Sequence, residues 1–138
     1  MEWQERVAAN GCRLTSSRKA IMEVVQRADA ALSPQTILQQ AKKTHPKLGL
    51  VTVYRTLNLM AELGLVRRVH REDGCHGYVV ATPGHHHVVV CRDCGRAVEF
   101  SGGDDLDALI ARVESSTGYQ VEDHLLQLLG ICAKCRHT

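Results

Sequence analysis

The sequence predicts an α+β chain in two halves: three helices and a two-stranded hairpin, then a smaller α/β unit held together by paired cysteines. Three observations predict it. Apolar residues recur at helical spacing in three segments before residue 64. Valines and a tyrosine then flank Asp73-Gly74 in a hairpin pattern, and two Cys-x-x-Cys knuckles bracket a later helix. The first half covers residues 1–82 and the second 83–138, with the break placed at the turn residues 81–84, Ala-Thr-Pro-Gly.

Thr15-Ser16-Ser17 supplies hydroxyl caps ahead of Ile21, Val24 and Val25, which fits a helix from about Ser17 to Ala28. Ser33-Pro34 opens a second, because serine caps it and proline suits a first turn; Ile37, Leu38 and Ala41 form its buried face. Leu50 to Leu63 reads as a third, stopped by Gly64. Leu65 to His70 and Cys75 to Ala81 make the hairpin, closed by Arg71-Glu72-Asp73-Gly74. Such helices followed by a two-stranded wing form a winged helix-turn-helix. In the second half, Leu106, Leu109, Ile110 and Val113 mark a helix over about Asp104 to Thr117, and Tyr119 to Ile131 is predicted to be extended.

The charge divides at the same place. Residues 1–82 carry 12 Lys/Arg against 7 Asp/Glu, a net +5, whereas residues 83–138 carry 5 against 8, a net −3, so only the first half suits a polyanion. Apolar runs such as Val88 to Cys91 are far shorter than the roughly 20 residues that span a bilayer. Met1 to Arg13 holds no signal-peptide stretch. The expectation is a cytoplasmic protein with no membrane partner.

In a reducing compartment the six cysteines point to metal rather than disulfides. Cys91-x-x-Cys94 and Cys132-x-x-Cys135 each aim two thiolates at one tetrahedral ion, and four thiolates leave no open position, so a structural zinc is expected; an iron–sulfur cluster is the alternative. His85, His86 and His87 run into the first knuckle. Side chains alternate along a strand, so His85 and His87 share one face while His86 points the other way, and His124 lies on the stretch leading to the second knuckle, which zinc draws to the first. Asp107 can add an oxygen to that first face. A second constellation is His70, Cys75 and His76 around the turn, with Cys75 opposite His70 and His86 arriving from the break. Cys12 stands alone and reads as a packing thiol.

The last helix before a wing enters the major groove. Here it presents Thr52, Tyr54 and Arg55, with Arg13, Arg18 and Lys19 before it and Arg67, Arg68 and Arg71 in the wing.

Residues 49–58, Gly-Leu-Val-Thr-Val-Tyr-Arg-Thr-Leu-Asn, followed by Leu63-Gly-Leu-Val66, resemble the recognition-helix signature of the ferric uptake regulator family. His85-His-His, Cys91-x-x-Cys-Gly95 and Gly130-x-Cys132-x-x-Cys135 resemble its histidine and knuckle signatures, in the same order. The resemblance implies a metal-dependent repressor of metal-uptake genes that acts on double-stranded operator DNA as a homodimer. Residues 83–138 would form the dimerisation domain. Cys91, Cys94, Cys132 and Cys135 would then hold structural zinc, and His85, His87, Asp107 and His124 a metal in the dimerisation domain.

The family's sensory site, which clamps the two domains together, falls near Ala31, at Val79 to Ala81, at His86 and at Val88, so only His86 is retained. A relocated site of Cys75 with His70 or His76 and His86 contains sulfur, which favours zinc over iron and points to the zinc-uptake branch. Sensing of iron, manganese or peroxide is the alternative within the family, and the regulatory cofactor is then Fe2+ or Mn2+ instead of Zn2+. A zinc-dependent hydrolase is the alternative of a different class. No H-E-x-x-H pattern is present, and a winged helix is unnecessary for hydrolysis, so no enzyme is expected.

Overall fold

The structure, a computed structural model, describes residues 3–71, 76–101 and 106–137. Four helices come first: α1 (Trp3–Ala9), α2 (Ser16–Arg27), α3 (Pro34–Ala41) and α4 (Leu50–Glu62). A hairpin of β1 (Val66–His70) and β2 (His76–Val80) follows, then β3 (His86–Cys91), β4 (Ala97–Ser101), α5 (Asp107–Thr117), β5 (Gln127–Gly130) and α6 (Ala133–Arg136).

Local chemistry sets the helix ends. The Thr15 hydroxyl accepts from Arg18 N at 3.2 Å and caps α2; Ser33 accepts from Thr36 N at 3.1 Å and caps α3, whose first residue is Pro34. At the end of α4, Leu65 N donates to Met60 O at 2.8 Å, a closure that needs the left-handed turn Gly64 supplies at φ 73°. Ile21, Val25, Ile37, Val53, Leu57 and Met60 are all buried in the core these helices share.

Some elements differ from the sequence reading, the short α6 among them. Helix α1 was not anticipated, since its seven residues bury only Val7 and show no periodicity; it is held by tertiary packing, and the Arg6 guanidinium donates to Leu63 O at the end of α4. Tyr119 to Ile131 is not extended throughout. Only Gln127–Gly130 is a strand, because only those residues find a partner ladder.

That ladder is parallel to β3, with Val88 opposite Gln127 and Cys91 opposite Gly130; β4 lies antiparallel on the other edge of β3. A parallel pair requires a long crossover, and α5 is that crossover. It returns the chain so that the second knuckle follows β5 at the end of β3 where the first begins.

The hairpin lies between two cores. Val66 and Tyr78 face the helices, whereas Val69 and Val79 join Ala31, Val88 and Val90 in a second apolar cluster against β3. Residues 30–32 run between the sheets: Leu32 bridges Tyr78, and Ala30 bridges Arg96. Among the described residues no helix is long and apolar enough to cross a membrane.

Candidate metal centres and nucleic-acid interface

The β3–β5 pairing brings the two knuckles side by side. The four sulfurs of Cys91, Cys94, Cys132 and Cys135 lie within 4.8 Å of one another, and Cys94 Sγ is 3.8 Å from Cys132 Sγ. A tetrahedral ion with metal–sulfur bonds of about 2.3 Å sets sulfurs about 3.8 Å apart, so the donor set fits. Gly95, at φ 77°, turns the first knuckle back, and Gly95 N donates to Cys91 O at 3.0 Å. The second knuckle is the start of α6, where Cys132 N donates to Cys91 Sγ at 3.3 Å.

The cysteines are not equivalent. Backbone N–H groups of Cys132 and Cys94 aimed at Cys91 hold its thiol down to about 6, while hydrogen bonding with Cys132 pushes Cys135 up to about 12. The backbone N–H of Cys135 lowers Cys132 as well. Thiols bind a cation as thiolates, so metal uptake at such a cluster displaces protons.

A second group forms where the start of β3 meets residues 119–126. The ligand nitrogens of His85, His87 and His124 lie within 4.8 Å of one another, with His85 Nε2 and His124 Nε2 3.0 Å apart. Two lone-pair nitrogens that close must share a proton or a cation. His87 is buried against Phe100, and burial first, then the neighbouring His85, His124, Arg67 and His86, lowers its pKa. Each of these favours the neutral form, the one that binds metal. Asp107 is exposed in the first turn of α5 and is not a member of this group among the described residues.

The wing residues are placed differently from the sequence expectation. His70 pairs with His76, one residue beyond the expected partner. Their ring centroids are 6.1 Å apart. His86 Nε2 turns back to within 3.1 Å of Pro83 O. Among the described residues His70, His76 and His86 form no ligand group. Cys75 lies outside the described residues.

On α4, Val53, Thr56, Leu57 and Met60 face inward, which leaves Val51, Tyr54, Arg55 and Asn58 exposed and Thr52 half-buried. Tyr54 is 40% exposed and so is no core residue. Arg13 and Lys19 are exposed, and the Arg18 guanidinium donates to Arg13 O, which ties the first turn of α2 to the segment before it. Arg68 is exposed and Arg71 half-buried. Arg67 is engaged: it pairs with Glu99 of β4 at 3.5 Å, a contact between halves that no local pattern announces. His45 was also missed. Its Nε2 lies 3.2 Å from Ser16 Oγ and 3.5 Å from Ser17 Oγ, joining the turn before α4 to the first turn of α2.

Comparison with known proteins agrees with this arrangement. The ferric uptake regulator family profile matches residues 9–129. A zinc uptake regulation protein of Mycobacterium tuberculosis is 35% identical over 130 residues, covering 94% of this chain and 99% of that one. A ferric uptake regulation protein of Campylobacter jejuni is 30% identical over 131 residues, covering 92% and 82%. A solved structure described as a zinc uptake regulator complexed with zinc and DNA shares the fold at TM-score 0.77 and 23% identity, over 97% of this chain and 90% of that one. With a profile match across most of its length and such relatives end to end, the chain belongs to the ferric uptake regulator family and is a metal-responsive transcription regulator rather than an enzyme.

Proposed function

We propose that this regulator is a zinc-responsive repressor of metal-uptake genes, and that it binds double-stranded operator DNA as a homodimer. One observation carries the choice of metal. The two donor groups among the described residues consist of sulfur and imidazole nitrogen alone, a set that suits zinc and not the oxygen-seeking manganese. The zinc uptake regulation protein at 35% identity supports the same choice. Iron and manganese sensing are the alternatives that the test separates.

In this reading Cys91, Cys94, Cys132 and Cys135 hold a structural zinc that keeps the knuckles joined. His85, His87 and His124 hold an exchangeable one. A bound cation supplies a cross-link; the residues decide what it joins, here the start of β3 and the connection from α5 to β5. Residues 83–138 pair two copies. Support for that role comes from the apolar side chains they expose, namely Val98, Leu109, Val113, Leu128, Leu129 and Ile131. Residues 1–82 supply the reading head: Thr52, Tyr54 and Arg55 in the groove, with Arg13, Arg18 and Lys19 on phosphates.

The test is a titration of a duplex selected from random sequence by the zinc-loaded protein, at fixed salt. Chelation of the exchangeable metal should abolish specific binding, and zinc should restore it at lower free concentration than iron or manganese. Restoration by iron or manganese at the lower concentration would overturn the zinc assignment.

A further inference from the structure

The family resemblance expects a metal between the two halves, with ligands at the positions of Ala31, Val79 to Ala81, His86 and Val88. The residues present do not fit one. Ala31, Val79 and Val88 are buried together with Val69 and Val90 in an apolar cluster, and the single donor, His86, is turned to Pro83 O. A divalent ion placed among Ala31, Val79 and Val88 would meet hydrocarbon where the resemblance expects ligands, at a prohibitive desolvation cost. We infer that the two halves are docked by this apolar cluster without metal, and that the metal response enters through His85, His87 and His124 within the second half.

The hairpin is built for such a dock. Its strand alternation puts Val66 and Tyr78 into the helical core and Val69 and Val79 into the second cluster, so one hairpin belongs to both. Gly77 faces Ala31 so closely that a Cβ on Gly77 would stand 2.9 Å from Ala31 Cβ. Residues 31 and 32 close the seam with backbone bonds. Ala31 N donates to Gly95 O at 2.8 Å, while Leu32 and Tyr78 exchange bonds of 3.2 and 2.9 Å.

Polar contacts seal both flanks. On one, Glu99 pairs with Arg67 at 3.5 Å, and its Oε1 accepts from Thr82 N at 2.9 Å and from Thr82 Oγ1 at 2.7 Å. On the other, the Gln127 amide bonds the backbone of His70. None of these contacts uses a group that a cation would have to organise. The three-histidine group lies instead between β3 and residues 119–126, where a cation acts on the second half alone.

The experiment is hydrogen exchange on the full chain, zinc-replete and after a mild chelator has removed the exchangeable zinc but not the four-cysteine zinc. Protection of β1, β2 and β3 should agree within twofold between the two forms. Val88→Thr, which keeps the volume and adds a hydroxyl to the cluster, should speed exchange of β1 and β2 about tenfold in both. A parent protein whose hairpin loses tenfold or more of its protection on chelation, and regains it with zinc, would overturn the dock, as would Val88→Thr exchanging like the parent.

The second part rests on the metal-responsive reading and uses a separate readout. His124→Ala should raise the zinc needed for duplex binding at least tenfold while hairpin exchange stays unchanged. If the parent binds DNA regardless of metal, that reading fails; if only the variant's response matches the parent's, the assignment to the three histidines fails.

Discussion

Gln127 holds the backbone of a residue 57 positions away at both ends: His70 N donates to its Oε1 at 2.7 Å, and its Nε2 donates to His70 O at 2.6 Å. A side-chain amide placed so substitutes for one missing strand partner. Because β5 is parallel to β3, Gln127 reaches across Val88 to the end of β1 and fastens it to the C-terminal sheet.

Gln127→Ala should therefore cost stability at that corner. Two hydrogen bonds are lost, but His70 is exposed and water replaces part of them, so about 1 kcal/mol is expected from denaturant unfolding. The His70 amide should exchange faster while α2 and α4 keep their protection. An equal acceleration in α4 would mean that the contact supports the whole fold and not the corner.

Gly77→Ala tests the closeness of the hairpin to Ala31. The added methyl would sit 2.9 Å from Ala31 Cβ, with Arg71 Cδ also at 3.2 Å, so something must shift. Overpacking of this kind costs about 1–3 kcal/mol. Ala31→Gly in the same chain should recover part of that loss, and the coupling should appear in a double-mutant cycle. Additive effects would show that the two residues do not press on each other.

Acid should release the four-cysteine metal in a defined window. The ordinary thiol value is 9.0, and backbone N–H groups hold Cys91 at about 6. A depressed value means that the folded thiolate is favoured over the unfolded thiol, a contribution complete above the ordinary value and lost as pH falls through about 6. Above that point Cys91 offers a thiolate with no proton to displace. Zinc transfer to a chromophoric chelator should accordingly steepen below pH of about 6. A release curve that is flat through that region would contradict the thiolate assignment.

Tyr54→Ala and Arg55→Ala should weaken specific duplex binding by about 1–3 kcal/mol, roughly five- to 150-fold, since both side chains are exposed on α4. Neither touches a donor group, so zinc content and elution volume should not change. Arg67→Ala serves as the contrast. Its partner is Glu99, and its loss should loosen the hairpin more than it weakens DNA binding. Equal losses of DNA affinity from Arg55→Ala and Arg67→Ala would show that Arg67 leaves Glu99 for phosphate.

What the sequence by itself determined is what a few neighbouring residues can encode. Thr15 and Ser33 cap their helices, Gly64 ends α4, and the inward face of α4 leaves Tyr54 and Arg55 outside; each follows from groups within one or two turns of each other. The spacing within each knuckle is equally local, and so is the alternation that separates His86 from His85 and His87. The tertiary structure alone decided which distant groups meet. It set the hairpin register that pairs His70 with His76, shortened the expected strand to Gln127–Gly130, packed α1 through Val7, joined His45 to Ser16, and engaged Arg67 with Glu99. It also turned the positions of Ala31, Val79 and Val88 into one apolar seam. The physical reason is common to all of these. Periodicity and capping act along the chain at short range, whereas burial and pairing between distant residues depend on how the whole chain closes, and a valine reads the same in sequence whichever core receives it.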